Sequence, residues 1–306
     1  MKTRELLNTK EVAGLLNINE KMVYSLISDK GLPATKVTGK WLFPRKLVET
    51  WIQNNTVNHT ENPLHADPGL VIIVGSNDIL LEKAIGAFNR LQDRYLAVFG
   101  NAGSMGGIIA LKNDRCHIAA SHLMETDENE YNFEAAGRTL GRIPAVVNFC
   151  RREQGIIVAS GNPKSILTIS DLAGKKIRMI NRPEGTGTRL LFDREIEKAG
   201  ITKENIIGYE NEVTSHMAVG LAVLSKKADA GIGIRAVASL LNLDFVPLRW
   251  ERFDLLISRS RFFEQGIQRF LGFLHEMPFT GLTAGLDGYD IKDCGRMRYP
   301  ATELNR

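Results

Sequence analysis

The segment Asn181-Arg182-Pro183-Glu184-Gly185-Thr186-Gly187-Thr188-Arg189 constrains the fold more than any other stretch of this chain. It follows the apolar run 177–180 and precedes a helix-like stretch over 190–199, so a strand must break at glycines and restart as a helix. Such a turn exposes backbone N–H groups at the helix start beside two threonine hydroxyls and a guanidinium, all of them donors, and so forms one wall of an anion site. The glycines allow close backbone approach, while Thr186, Gly187, Thr188 and Arg189 set donors at adjacent positions. A phosphate loop needs Lys-Ser/Thr after its last glycine and a dinucleotide fingerprint needs three glycines at fixed spacing; neither is present. The plainer alternative is a strand-to-helix turn with a capping threonine.

From Leu70 onward, strand and helix patterns alternate. Strands are expected at 70–75, 95–99, 117–120 and 156–159, the last after an apolar run at 145–149, with helices at 80–91 and 104–112. In the first helix Leu81, Ala84, Ile85 and Phe88 share one face. That rhythm predicts an α/β body with mostly parallel sheets. In such sheets ligands sit beyond the C-terminal strand ends, and here those ends carry small polar residues: Ser76 and Asn77, Gly103 and Ser104, Ser121 and His122, and Thr186 to Thr188. One serine at a strand end is usually a helix cap, whereas several at equivalent positions point to a shared cleft. His216, at a helix start without paired ligand spacing, reads as a hydrogen-bond donor to an anion or as a cap. His117 and His122 have no carboxylate at ligand spacing, so no metal site is expected. No nucleophile–base pair or paired carboxylates are visible, which argues against an enzyme and leaves no catalytic residue to name. Glu184 beside the loop would repel an anion if it pointed inward.

The first 55 residues carry nine Lys or Arg against five acids, an excess equal to the formal charge of +4 on all 306 residues. A small basic module on a neutral body suggests a polyanionic partner for the module. Thr9 reads as the cap of a helix with Val12, Leu15 and Leu16 inward, ending at Asn17; Asn19 caps a second over 20–29 with Val23, Leu26 and Ile27 inward. Lys21, Tyr24 and Ser25 then face outward. Residues 31–44 read as a two-stranded ribbon turning at Thr38-Gly39, with Lys36 and Lys40 near its tip, and 45–54 returns to helical spacing. Residues 56–68 are polar and proline-punctuated, a linker to a body at 69–306.

The absence of a long apolar run or signal-peptide core leads to the expectation of a cytoplasmic protein without membrane contact. Three widely spaced cysteines, Cys116, Cys150 and Cys294, fit neither a disulfide framework nor a metal knuckle and read as reduced thiols.

Two resemblances sharpen this reading. The stretch LNTKEVAGLLNINEKMVYSLISDKGLPATKVTGKWLFPRKLVETWI resembles the excisionase-family winged helix-turn-helix, related to the MerR-type DNA-binding domain. That implies base contacts from Lys21, Tyr24 and Ser25 and phosphate or minor-groove contacts from Lys36, Thr38 and Lys40. The motifs RREQGIIVASGNP, DLAGKKIRMINRPEGTGTRLLFD and SHMAVGLAVLSKKADAGIGI resemble the type II periplasmic-binding-protein fold, in particular the cytoplasmic kind related to molybdate- and tungstate-binding proteins. This implies two lobes, one about 69–148 with the C-terminal part and the other about 155–250, a hinge crossed twice, and closure around an anion. Molybdate and tungstate are unprotonated dianions that suit a donor-only site, whereas hydrogen phosphate would also need an acceptor. The expected function is a one-component transcriptional regulator, a homodimer on double-stranded DNA, that binds molybdate or tungstate through Ser76, Asn77, Ser104, Ser121, Thr186, Gly187, Thr188, Arg189 and His216 and needs no cofactor. Alternatives are a molybdate or tungstate carrier for molybdenum-cofactor biosynthesis and a regulator sensing a small organic ligand.

Overall fold

A computed structural model describes residues 5–37, 39–56, 67–173 and 176–301, with 53 and 54 in backbone only. The chain divides into two compact units, Met1–His65 and Ala66–Arg306. Most of the linker expected at 56–68 lies outside the described residues.

The first unit runs β1 (Leu6–Asn8), α1 (Thr9–Leu16), α2 (Glu20–Lys30), β2 (Thr35–Val37), β3 (Lys40–Pro44) and α3 (Arg45–Asn54). Its antiparallel sheet has the order β1-β3-β2, so a short strand missed by the sequence pattern completes the ribbon. The cap of α1 is Asn8, not Thr9: Asn8 Oδ1 accepts from the Glu11 amide at 2.9 Å while the Glu11 carboxylate accepts from the Asn8 amide at 2.8 Å. Asn19 caps α2, and Asn17, at φ 53°, closes α1 in the left-handed conformation. The buried stripe of α1 runs through Val12 and Ala13 with Leu16 packed beside it, which leaves Leu15 exposed rather than inward. Val23, Leu32, Phe43 and Val48 complete the core, and Trp51 Nε1 donates to the Lys30 carbonyl at 2.9 Å, tying α3 to the end of α2.

The second unit contains β4 (Leu70–Gly75), α4 (Ile79–Leu91), β5 (Leu96–Asn101), α5 (Gly103–Lys112), β6 (Ile118–Ser121), α6 (Phe133–Leu140), β7 (Ala145–Val158), β8 (Met179–Ile180), α7 (Gly187–Lys198), α8 (His216–Leu224), β9 (Ala230–Ile234), α9 (Arg235–Leu240), β10 (Asp244–Ile257), α10 (Gln265–Phe273), α11 (Met277–Thr280), β11 (Tyr289–Asp290) and β12 (Met297–Arg298). Its sheet has the order β5-β4-β6-β10-β7-β9-β8, with β11 and β12 added to β7. The pairings β4/β5, β4/β6 and β8/β9 are parallel, but β6/β10, β10/β7 and β7/β9 are antiparallel. The sheet is therefore mixed, not mostly parallel. The cause is the pair β7 and β10, each 14 residues long, which run antiparallel through both lobes. The sequence pattern split β7 into two runs because Arg151-Arg152-Glu153-Gln154 interrupts its apolar residues.

Residues 145–150 of β7 and 253–257 of β10 belong to one lobe with β4, β5 and β6; residues 154–158 and 244–249 belong to the other with β8 and β9. The first lobe packs around Phe88, Phe149, Phe253, Phe270, Phe273 and Phe279, each fully buried and contributing on the order of 1.5–3 kcal/mol of apolar burial. The second packs around Ile156, Val158, Met179, Phe192 and Ile232. Polar contacts cross between the lobes: Asn101 Nδ2 donates to the Thr214 carbonyl at 3.0 Å, Arg194 Nη1 donates to the Glu125 carbonyl at 2.7 Å, and Lys198 pairs with Glu128. Cys116, Cys150 and Cys294 are all free and buried. Among the described residues, no helix is long and apolar enough to cross a membrane, and no group of three or more His, Cys, Asp or Glu is placed to hold a metal ion.

Candidate functional site

Polar side chains from both lobes converge where β7 and β10 cross between them. Strand alternation sets Arg152 and Gln154 on one face of β7, with Arg151 exposed on the other. Glu251 on β10 is the cross-strand partner of Arg152 and shares that face. Arg152 Nε donates to Glu251 Oε1 at 2.6 Å, and its Nη1 donates to Asp78 Oδ2 at 2.7 Å, an oxygen that also accepts from Tyr289 Oη at 2.7 Å. The Arg152 guanidinium lies 4.5 Å from the centre of the Phe253 ring, on which His122 also stacks at 5.7 Å. His122 Nδ1 lies 2.9 Å from Glu251 Oε2, and His122 Nε2 lies 2.9 Å from Ser76 Oγ. Ser104 Oγ accepts from the His122 amide at 3.3 Å. Every one of these side chains is essentially buried except Tyr289, which is part-buried.

The second lobe adds Arg182, after β8, and His216, the first residue of α8. Both are buried. Among the described residues His216 has no partner for either ring nitrogen, Arg182 none for Nε and Nη1, and Arg152 none for Nη2. Among the described residues no carboxylate comes within ion-pair distance of Arg182. Burial, reinforced by the charge of Arg152, pulls the Arg182 pKa down to about 10. Burial likewise pushes His216 well below the usual histidine value, with Arg182, Arg152 and His122 adding to the effect. His122 is also lowered by burial, against the opposing pull of Glu251. Burial alone would raise Glu251, but His122 and Arg152 outweigh it and hold the carboxyl far below the ordinary range. A buried guanidinium and imidazole with unpartnered nitrogens cost free energy unless something with lone pairs occupies the space beside them. Anions as a class have such lone pairs and form charge-assisted hydrogen bonds with these donors.

Residues 85–275 match the PBP superfamily domain, and residues 6–56 match a helix-turn-helix domain. The chain belongs to the PBP superfamily. Over 301 residues it is 29% identical to the uncharacterized protein YvgK of Bacillus subtilis (strain 168), covering 94% of this chain and 96% of that protein. Among solved structures, this PBP superfamily body is similar to a phosphate ABC transporter substrate-binding protein from Clostridium perfringens with bound phosphate (13% identity, TM-score 0.56), covering 73% of this chain and 100% of that one. The chain is also similar to a hydrogen peroxide-bound mutant of OxyR from Corynebacterium glutamicum (11% identity, TM-score 0.52), covering 91% and 90%. At these identities the likeness establishes the fold.

Within the second unit, the residues named from sequence divide by where their polar atoms go. Ser76, Ser104 and His216 lie in the cluster. Gly187 touches it through its backbone: a Cβ there would lie 2.5 Å from the His122 ring, so only glycine lets α7 begin this close. Thr188 reaches it through its hydroxyl, which accepts from Gln154 Nε2 at 3.2 Å. Thr186 is the cap of α7, its hydroxyl donating to the Pro183 carbonyl at 2.8 Å and accepting from the Arg189 amide. Asn77 donates to Glu82, and Ser121 donates to Asn132 Oδ1 at 2.7 Å in a separate network with Asp254. Arg189 is engaged elsewhere: it donates to Asp193, to Glu212 at 2.9 Å, to Tyr209 Oη and to the Arg182 carbonyl, so it braces the loop instead of facing the cluster. Glu184 is exposed and does not oppose an anion.

Sequence reasoning missed Arg152, Arg182, Gln154 and Glu251. Arg182 stood inside the very segment singled out, overshadowed by the threonines. Arg152 and Gln154 were signalled by polar residues in the middle of an apolar strand, a pattern that marks a functional strand segment. The Ser76–His122 contact joins residues far apart in sequence, so no spacing rule reveals it. In the first unit Lys21, Tyr24, Ser25, Lys36 and Lys40 are all exposed, with Lys36 5.6 Å over the Trp41 ring. Thr38 lies outside the described residues.

Proposed function

We propose that this protein is a DNA-binding regulator whose PBP superfamily domain senses a small oxyanion. The helix-turn-helix match and the exposed Lys21, Tyr24 and Ser25 of α2 with Lys36 and Lys40 of the ribbon support the DNA-binding half. The observation that carries the sensing half is the set of buried, unpartnered nitrogens on Arg152, Arg182 and His216. Arg182 and His216 come from the second lobe, Arg152 lies where β7 passes between the lobes, and Ser76 and His122 come from the first, so an anion among them joins the lobes and favours the closed arrangement, which the contacts from Asn101, Arg194 and Lys198 also hold. Molybdate and tungstate are the anions that the sequence resemblance offers. The protein acts in the cytoplasm as a homodimer, because one small winged module buries little DNA surface by itself. The domains have binding, not catalytic, counterparts, and no reaction is assigned to the cleft.

The test is DNA affinity with and without anion, read by fluorescence anisotropy on DNA from upstream of the protein's own gene, with phosphate, molybdate, tungstate and sulfate as probes. A coupling of about 1–3 kcal/mol predicts that one of them shifts affinity roughly 5- to 150-fold. Identical DNA affinity with each anion at saturation would refute the proposal.

A further inference from the structure

The hydrogen-bonded relay Glu251–His122–Ser76 has a direction fixed at its carboxylate end. Glu251 is buried, ionised and paired with Arg152, so its Oε2 can only accept. His122 Nδ1, 2.9 Å away, therefore carries a hydrogen. A neutral imidazole with its hydrogen on Nδ1 has a bare lone pair on Nε2, and the Ser76 hydroxyl 2.9 Å away donates into it. Ser76 thus directs its hydrogen toward His122 and presents oxygen lone pairs to its other neighbours. The groups facing His122 keep it neutral at neutral pH: burial and the cations Arg152 on β7 and Arg182 after β8 oppose its protonation, against Glu251 on β10, while the nearby His216 on α8 is itself uncharged.

A second acceptor lies on the same face of β7 as Arg152. Gln154 is fully buried; its amide nitrogen donates to Thr188 Oγ1, and its Oε1 has no partner. A cluster rich in donors from Arg152, Arg182 and His216 therefore also holds two acceptors, Ser76 Oγ and Gln154 Oε1. An oxyanion stripped of hydrogen would set its lone pairs against them.

We propose that the cleft selects a small oxyanion that still carries a hydrogen at neutral pH, of the hydrogen phosphate type, and discriminates against those that carry none. This rests on the anion-sensor reading above and narrows it. Hydrogen phosphate and its arsenate analogue can accept from the guanidinium and imidazole groups while donating to Ser76 or Gln154. Molybdate, tungstate and sulfate cannot donate. A site built to receive a ligand hydrogen discriminates strongly against analogues that lack it, because its acceptors are then buried without partners.

The experiment is calorimetric titration of the anion-stripped full chain at pH 7.5 with phosphate, arsenate, sulfate, molybdate and tungstate, repeated on Ser76→Ala. Phosphate and arsenate are expected to bind at least roughly a hundredfold more tightly than the other three. Ser76→Ala should weaken phosphate at least roughly tenfold, and any residual sulfate binding should strengthen, because the lone pair set against sulfate is removed. Gln154→Met, which removes the other acceptor, is read the same way and serves if Ser76→Ala fails to fold. Sulfate, molybdate or tungstate binding as tightly as phosphate would overturn this proposal and leave the anion sensor standing. Silence from all five would overturn both.

Discussion

Replacing Arg182 by methionine should make the ligand-free protein more stable and the sensor blind. The Arg182 side chain is buried, with Nε and Nη1 unpartnered and no carboxylate within ion-pair distance among the described residues. Without a ligand the native state carries the desolvation cost of that guanidinium, and methionine removes it while keeping a long unbranched stem. Leaving a buried group unsatisfied costs about 1–3 kcal/mol, so a gain of that order is expected. For a unit of this size each kcal/mol moves the melting temperature by about 2–4 °C, well within the reach of differential scanning calorimetry. Binding should move the other way. Two charge-assisted hydrogen bonds of about 1.5–3 kcal/mol each are lost, which lowers anion affinity by roughly a hundredfold to ten-thousandfold. The assay pairs melting of stripped wild type and Arg182→Met with calorimetric titration of both by phosphate and molybdate. A variant that melts lower than wild type and binds either anion equally well would refute the reasoning, since Arg182 would then be a structural residue with a partner.

Further outcomes follow from the same geometry. His122 and His216 both have folded pKa values below their unfolded value of about 6.5, so the unfolded chain takes up their protons first; ligand-free stability should be full above that pH and fall as pH drops below it, at about 1.4 kcal/mol per pH unit for each histidine that titrates. Urea unfolding between pH 8 and 5.5 checks this, and flat stability across that window would contradict it. Arg189→Met should cost about 1–3 kcal/mol of stability through the lost partners Asp193 and Glu212 while keeping anion heats intact; a variant that melts normally but no longer binds would return Arg189 to the anion. Lys40→Ala, on the exposed wing, should weaken DNA binding across sequences and lower the salt slope by about one phosphate contact; an unchanged slope would remove Lys40 from the DNA backbone.

Much of this architecture was legible in the residues because local patterns coincide with the elements they form. Leu81, Ala84, Ile85 and Phe88 repeat at helical spacing and are all buried in α4. Asn17, Asn19 and the Thr186 cap carry their own geometry in one or two side chains. What failed was decided at long range. Neither the continuity of β7 through Arg151-Arg152-Glu153-Gln154 nor its antiparallel pairing with β10 has a local signature, because the charged interruption is satisfied by Glu251 and Asp78, 99 and 74 residues from Arg152 in sequence. The site was half legible for the same reason. Serines and glycines at strand ends revealed where a cleft should be, but donor types at adjacent positions could not say which would turn toward it. Arg189 found Asp193, Glu212 and Tyr209, whereas Arg182, seven residues earlier, has no carboxylate partner among the described residues and keeps Nε and Nη1 unpartnered.

The sensor stands or falls on whether an anion sits between the two lobes against Arg152, Arg182 and His216. Anomalous diffraction from crystals of the full chain grown with arsenate measures this directly, because the arsenic position is read without reference to any assumed ligand. One peak per chain is expected, within hydrogen-bonding reach of Arg182, His216 and Ser76. A peak elsewhere in the second unit, or an empty cleft at arsenate concentrations far above those that saturate a sensor, would show that these nitrogens do not hold an anion.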